Sequence, residues 1–244
     1  MNEFVKQALE FIPWYLSTLL RLVVSPKKFV VQRISESDST LKDGLIFWAI
    51  SILIAWILSS TAAEVNNISG IAKSVVFSFL LLSAFGVALC IAFRLVNGRA
   101  DLQKIAIIHL YYFSVLELLM AIAFILFIGA FRSFDPDFYK GFATAANGGN
   151  MPQFIEKFNG GNSSTMLFLA IFALVLVSSF CFWIYLGWGA YRELHQLPKW
   201  RSGLAFILYL LLCIPAVAVT LLIANGGVAL NSTDSTGPSQ KSAP

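Results

Sequence analysis

The chain carries five stretches of continuous apolar sequence, each close to the roughly 20 residues that a bilayer-spanning helix needs. Backbone groups in lipid must be hydrogen-bonded within the protein, and runs of this length achieve this as helices. No segment alternates apolar and polar residues with a period of two, which disfavours strands. We therefore predict an all-α membrane helix bundle over residues 44–225, with transmembrane helices at 45–63, 74–96, 105–128, 166–191 and 204–224.

Residues 1–43 precede the first span and form a predicted N-terminal arm. Polar residues recur there at intervals near three and four between apolar and aromatic ones, the pattern of amphipathic helices. Pro13 marks a predicted break or helix start, and Ser25-Pro26 is typical of a cap followed by a first-turn proline. We expect interfacial helices on the cytoplasmic membrane surface, and the alternative that the arm packs against the spans stays open. The candidate membrane-surface contacts are Arg21, Lys27, Lys28 and Phe29.

The composition agrees with a membrane protein. Hydrophobic residues make up 58% and charged residues 12% of the 244 positions, whereas soluble domains carry about 25% charged residues. The net charge is +4, and the positive residues lie beside the apolar spans. We therefore interpret the basic balance as contact with lipid headgroups and as an orientation signal, and we do not expect nucleic acid as a partner.

The distribution of lysine and arginine predicts the orientation of the chain. The arm, the loop before the third span and the loop before the fifth span hold most of them. The positive-inside rule then places the N-terminus in the cytoplasm and, after five spans, the C-terminus outside. We expect a bacterial cytoplasmic (inner) membrane as the location. The positive residues on the predicted cytoplasmic side are Lys6, Arg21, Lys27, Lys28, Arg33, Lys42, Arg94, Arg99, Lys104, Arg192, Lys199 and Arg201.

The longest loop, at residues 132–165, lies between the third and fourth spans. Phe131, Phe134, Phe138 and Phe142 fall on one face of a helix, so its first part is predicted to rest on the outer membrane surface. The tail at 226–244 is rich in serine, threonine and proline and is predicted to be disordered.

Sequence patterns of catalysis are missing from the chain. It contains no HExxH, CxxC, GxSxG, GxGxxG or phosphate-loop motif. Cys90, Cys181 and Cys213 lie in apolar runs without metal-ligand spacing, and we interpret them as small packing residues. His109 and His195 have no ligand partners near them in the sequence. We therefore expect no enzyme activity, no metal and no cofactor.

Glu117 lies in the middle of the third span, about 18 Å along the helix from Ile105. A charged group at this depth costs about 2.5–3.5 kcal/mol on insertion scales, so such residues usually face the bundle interior. An interhelical hydrogen bond, a proton or ion site, and a contact with a partner protein stay open as its roles. Plausible partners at this depth are Ser83, Ser178 and Tyr209.

Small residues recur every four positions in two spans, where they allow helices to approach closely. We expect these stripes to pack inside the bundle, and a homo-oligomer is the alternative use. The stripes are Ser51, Ala55, Ser59 and Ala63 in the first span and Ala84, Ala88 and Ala92 in the second.

Three segments together resemble the Yip family of five-span membrane proteins, which are named for interaction with Ypt/Rab GTPases. They are Ser25-Pro26-Lys27-Lys28-Phe29 in the arm, Asn97-Gly98-Arg99-Ala100-Asp101 before His109-Leu110-Tyr111-Tyr112, and Trp188-Gly189-Ala190-Tyr191-Arg192-Glu193-Leu194-His195 before Trp200-Arg201. The resemblance covers about residues 10–225. It implies the five-span fold and, for eukaryotic relatives, a role in vesicle trafficking through the cytoplasmic N-terminal region.

The chain departs from the family in two places. A proline commonly follows the third-span tyrosine in the family, and Glu117-Leu118 occupies that neighbourhood here. The chain also lacks the long polar N-terminal domain of many trafficking members. We therefore carry over the fold and the topology, but not GTPase binding.

Two functions follow as hypotheses. The first is a non-enzymatic membrane protein that organises or recruits other membrane components, namely lipids and other membrane proteins. The second is a small transporter, or an ion- or proton-conducting protein, that uses Glu117. The absence of internal repeats and of several intramembrane polar residues favours the first.

Overall fold

The computed structural model describes residues 3–35, 41–63, 68–99, 101–146 and 163–231. Within these ranges every regular element is an α-helix, so the predicted all-α class is confirmed. The rest of the long loop, at 147–162, and the tail beyond residue 231 lie outside the described residues. The helices are α1 (Glu3–Val24), α2 (Pro26–Ser35), α3 (Leu41–Ala63), α4 (Ile68–Leu95), α5 (Leu102–Phe134), α6 (Pro136–Ala146), α7 (Ser163–Leu194) and α8 (Lys199–Asn231).

In the described part of the chain, five helices are long and apolar enough to cross a membrane, as predicted. Each coincides with one of the predicted apolar stretches, which confirms a multi-pass helical bundle. The last helix, α8, continues to Asn231, past the predicted end of the membrane domain at residue 225. The spanning segments are Leu41–Thr61, Val75–Leu95, Leu102–Phe134, Met166–Leu194 and Lys199–Ile223.

Two helix pairs make up most of the bundle, since α3 packs along α5 and α4 packs along α8. Ser51 and Ala55 of α3 and Ala88 and Ala92 of α4 are buried. These members of the two small-residue stripes therefore pack inside the bundle, as expected. Ser59 and Ala84 are half-buried, and the side chain of Ala63 lies outside the described residues.

The turns that follow α4 and α7 end their helices in the same way. Asn97 has a φ of 65°, and the Gly98 N–H donates to the Phe93 carbonyl oxygen at 2.8 Å. After α7, Gln196 has a φ of 51° and occupies the equivalent position. A left-handed residue followed by a backbone bond across six residues is the Schellman ending, which satisfies carbonyls at a helix C-terminus.

These two turns also contact each other. A Cβ atom at Gly98 would come within 2.6 Å of the His195 Nδ1, so only a residue without a side chain fits there. The His195 ring stacks on Phe93, with ring centroids 4.0 Å apart and an interplanar angle of 6°. The ends of α4 and α7 are therefore fixed to one another at this end of the bundle.

The four phenylalanines at 131, 134, 138 and 142 are divided between two helices, so the prediction that they share one helical face is wrong. Helix α5 continues through Phe134, and the rings of Phe131 and Phe134 pack on Phe168 of α7 at centroid distances of 4.9 and 5.4 Å. The residue before Pro136 has a φ of −140° and a ψ of 80°. Proline keeps the preceding residue out of the helical region, so a separate helix, α6, begins at Pro136.

The N-terminal arm is a pair of helices docked on the bundle. Helix α1 runs through Pro13, so the predicted break or helix start at this position is wrong. Proline removes one backbone hydrogen bond, and the packing of the following turns outweighs this loss. Tyr15, Thr18 and Leu22 are buried on one face, and the Tyr15 hydroxyl lies 2.9 Å from the Ser51 hydroxyl of α3. The arm therefore packs against the spans along this face.

Candidate functional site

Glu117 is half-buried in α5 and is hydrogen-bonded to the neighbouring helix α4. The Ser78 hydroxyl of α4, which is itself buried, donates to the Glu117 carboxylate. This is an interhelical hydrogen bond, one of the roles predicted for this residue. Bonds of this kind contribute about 0.6–1.7 kcal/mol in membrane bundles, so the contact joins α4 to α5.

The partner of Glu117 differs from the three that the sequence suggested. The Ser83 hydroxyl donates within its own helix to the Phe79 carbonyl at 2.8 Å, and Ser178 is exposed. Tyr209 of α8 is buried and lines a cavity together with residues of α4, α5 and α7. Hydropathy places a residue at a depth, but the rotation of each helix about its axis decides which residues face each other.

This cavity, of about 30 Å³, lies between α4, α5, α7 and α8 and has mainly aromatic walls. Tyr112 lines this cavity, and its buried hydroxyl has no hydrogen-bond partner among the described residues. His109 also lines the cavity, and its Nε2 lies 2.9 Å from the Leu82 carbonyl oxygen. A Cβ atom at Gly187 would come within 2.9 Å of the Tyr112 Cζ, so Gly187 makes room for this ring. The volume suits a water-sized molecule.

The candidate membrane-surface residues of α2 also hold this helix on the bundle. Helix α2 begins at Pro26, as its sequence predicts. The Lys27 ammonium forms an ion pair with the Glu193 carboxylate of α7 at 2.7 Å. The Phe29 ring meets Tyr111 of α5 edge-on, with the centroids 5.5 Å apart. Both side chains therefore fasten α2 to the spans.

Arg21 and Lys28 are exposed and belong to a larger cationic end. We define this end as the last turn of α1, helix α2, the starts of α3, α5 and α8, and the ends of α4 and α7. The carboxylates described there each interact with a neighbouring group, as Glu193 does with Lys27. Asp43 lies 3.7 Å from Arg33, and Asp101 accepts a hydrogen bond from the backbone N–H of residue 103 as the cap of α5. The exposed cations are Arg21, Lys28, Lys42, Arg94, Arg99, Lys104 and Lys199.

The described part of the opposite end has a nearly balanced charge. The Arg132 guanidinium lies over the Tyr139 ring, 4.9 Å from its centroid, and donates to the Tyr139 hydroxyl at 3.3 Å. Lys140 lies 3.8 Å from Asp137, and both side chains are highly exposed. Over the described residues, the bundle is therefore asymmetric in charge along its axis.

The three segments that carry the family resemblance meet at the cationic end. The arm reaches the α7 segment through the ion pair described above, and a Cβ atom at Gly189 would lie 3.0 Å from the Lys27 Cδ. The arm reaches the α5 segment through the Phe29–Tyr111 contact. The turn at Gly98 reaches His195. Segments that are far apart in the sequence thus form one contiguous region.

Metal-ligating residues are dispersed in the described ranges, where no group of three His, Cys, Asp or Glu side chains could hold a metal ion. Cys90 and Cys181 are half-buried and Cys213 is buried, all as free thiols.

Comparison of the chain with protein-family models, with curated proteins and with solved structures finds no match. The resemblance to the Yip family stays a prediction from the three segments.

Proposed function

We propose that the chain is a non-enzymatic membrane protein that organises or recruits other membrane components at its cationic end. The observation that carries this proposal is the surplus of exposed cations at one end of the bundle, opposite an end whose described part has a nearly balanced charge. Acidic lipid headgroups and acidic segments of a second membrane protein share the chemistry that such a surface attracts. The same asymmetry supports a cytoplasmic N-terminus in a bacterial inner membrane.

The fixed position of α2 strengthens the proposal. Lys28 lies between Lys27 and Phe29, whose contacts with α7 and α5 hold the helix in place. A cation on a fixed helix loses less conformational entropy on binding than a cation on a flexible chain. The cationic end is therefore organised before a partner arrives.

We also propose that the chain is a member of the Yip family. Support comes from the five-span architecture and from the contacts that join the three resembling segments. Recruitment of other membrane proteins agrees with the role that the resemblance implies, whereas GTPase binding forms no part of the proposal.

The test is crosslinking in native membranes, followed by purification and mass spectrometry of the bound proteins and lipids. A triple variant, Lys28→Gln with Lys104→Gln and Lys199→Gln, removes three exposed cations from the cationic end. Lys140→Gln, at the opposite end, is the control because this lysine is also highly exposed. Protease accessibility of an N-terminal tag verifies that the orientation of each variant is unchanged.

We expect a stoichiometric protein partner, or an acidic lipid enriched over the bulk membrane, with the wild type and the control. The triple variant should lose it, because the attraction is electrostatic. A solitary protein without enriched lipid contradicts the proposal, as does a partner that the triple variant retains in full.

A second candidate function is transport or proton conduction at Glu117. The observation in its favour is a half-buried carboxylate inside a spanning helix, with a hydroxyl group as its neighbour. Purified protein in liposomes should then show a pH-dependent flux that Glu117→Gln abolishes and Ser83→Ala preserves. A wild-type protein without such flux removes this candidate.

A further inference from the structure

We infer that α1 is embedded in one leaflet of the bilayer and lies in the membrane plane along the flank of α3 and α5, with lipid acyl chains covering its outer apolar face. This placement goes beyond the proposed recruitment function, and it holds for either orientation of the bundle. Three faces of α1 carry it, namely a protein-facing side, an exposed apolar side and a narrow polar stripe.

The protein-facing side shows how deep α1 lies. The Tyr15 hydroxyl bonds to Ser51, eight residues after Asp43, the last charged residue of α3 before its apolar stretch. This distance is about 12 Å along a helix axis. Leu19, one turn further along α1, packs on a small cluster that includes Leu118 of α5 and Ala55 of α3, one turn beyond Ser51. Helix α1 therefore lies beside the apolar part of the spans rather than beneath their ends.

The outer face of α1 is apolar and uncovered by the rest of the chain. Ile12, Leu16 and Leu20 follow one another at intervals of four residues and are 55%, 56% and 65% exposed. This face would be unfavourable in water, whereas acyl chains cover it without a hydration cost. Leu53 and Ile57, which follow Ser51 in α3, are exposed apolar residues of a segment long and apolar enough to span a membrane. The outer face of α1 continues this lipid-facing surface.

A polar stripe beside the apolar face sets the direction of the helix. Ser17 and Arg21 are exposed and lie one turn apart. In the sequence, Glu3 and Glu10 precede Ser17 at intervals of seven residues, which is the spacing of two helical turns. Polar positions spread along one side can all reach water only when the axis lies parallel to the membrane surface. The apolar segment Phe11–Val24 is also shorter than the roughly 20 residues that spanning requires.

The test measures which solvent surrounds each face of α1 in proteoliposomes. Nitroxide spin labels are attached to single cysteines, Leu16→Cys, Leu20→Cys or Ser17→Cys, after the three native cysteines have been replaced by serine. Collision of each label with oxygen, which concentrates in lipid, is compared with its collision with a water-soluble nickel chelate. Val87→Cys, at a 59% exposed position of α4, is the lipid reference, and Arg99→Cys, in an exposed turn, is the water reference.

We expect the oxygen-to-nickel collision ratio at positions 16 and 20 to match that at Val87 and to exceed the ratio at Ser17 severalfold. Equal ratios at positions 16 and 17 overturn the inference, because both faces of α1 would then be surrounded by the same solvent, either lipid or water. Shielding of positions 16 and 20 from both reagents also overturns it, since protein would then cover the face. Labelled variants are compared only when they elute from size-exclusion chromatography as the wild type does. Because two positions on the apolar face are labelled, the test still decides if one variant misfolds.

Discussion

The Ser78 hydroxyl of α4 donates to the Glu117 carboxylate of α5, so the costly polar group inside this span has a hydrogen-bonding partner. Helix α4 ends at Leu95 and α5 begins at Leu102, and the two successive helices pack against each other. A hydroxyl donor offers no compensating charge, so the contact serves as an interhelical hydrogen bond and not as an ion pair.

Glu117→Gln should leave the amount of folded protein and its Tm close to wild type, because the amide oxygen still accepts from Ser78. Glu117→Leu and Ser78→Ala remove the bond and should destabilise the protein by about 0.6–1.7 kcal/mol. Thermal unfolding in detergent, followed by size-exclusion chromatography, measures this. Ser83→Ala is the control because its hydroxyl bonds within its own helix. A large loss of folded protein with glutamine would count against the structural role.

Gly187→Ala should destabilise the protein, because the added Cβ would come within 2.9 Å of the Tyr112 ring. Overpacking of this kind typically costs about 1–3 kcal/mol. Gly129→Ala is the matched control in α5, since a Cβ there would meet nothing within 4 Å. The control should be neutral or slightly stabilising because alanine favours helices by up to about 1 kcal/mol over glycine. Similar Tm values for the two variants would show that the Tyr112 ring can move aside freely.

His195 should make stability depend on pH. Burial lowers the pKa of its imidazole from the usual value near 6.5 to about 4, so the folded protein keeps it neutral. The unfolded chain takes up a proton below pH 6.5, so stability is full above this pH, falls as the pH drops towards 4, and then levels off. The loss is at most about 3 kcal/mol, and screening by solvent near this helix end reduces it. The Tm of the wild type should fall more steeply over this range than that of His195→Gln, and parallel slopes would contradict the prediction.

Tyr15→Phe should loosen α1 while keeping the ring contact with Phe47, whose centroid lies 4.9 Å from that of Tyr15. The hydrogen bond to Ser51 is lost, which typically costs about 0.5–1.5 kcal/mol. Burial raises the pKa of the Tyr15 hydroxyl above 10, so the effect should be the same from pH 6 to 9. Hydrogen exchange of the α1 amides should be faster in this variant. Ser17→Ala, whose hydroxyl bonds within α1, should leave exchange unchanged.

The five spans could be predicted because apolar length is a property of each segment by itself. The end of α5 could not, since its continuation to Phe134 depends on Phe168, a residue more than thirty positions away. The same limit explains the error at Pro13. A local rule predicts a break there, whereas packing of Tyr15 and Leu22 against the spans maintains the helix.

At the candidate site too, the sequence predicted how deep a residue lies in the membrane but not which residue of a neighbouring helix it faces. The depth of Glu117 followed from its position in the third span, but its partner Ser78 depends on how α4 is rotated. Lys27 was predicted as a membrane-surface contact from its place in a basic and aromatic segment. Its ion pair with Glu193 joins residues that no local pattern relates.

Helix α7 is buried at one of its ends and largely exposed at the other. Trp188 and Tyr191 are buried near the cationic end, whereas Leu167 and Leu174 near the other end are 63% and 67% exposed. A spanning helix adjusts to hydrophobic mismatch by tilting, at a cost of only fractions of a kcal/mol per Å. At the exposed end of α7, the contacts of Phe168 with Phe131 and Phe134 would transmit such a tilt to the end of α5.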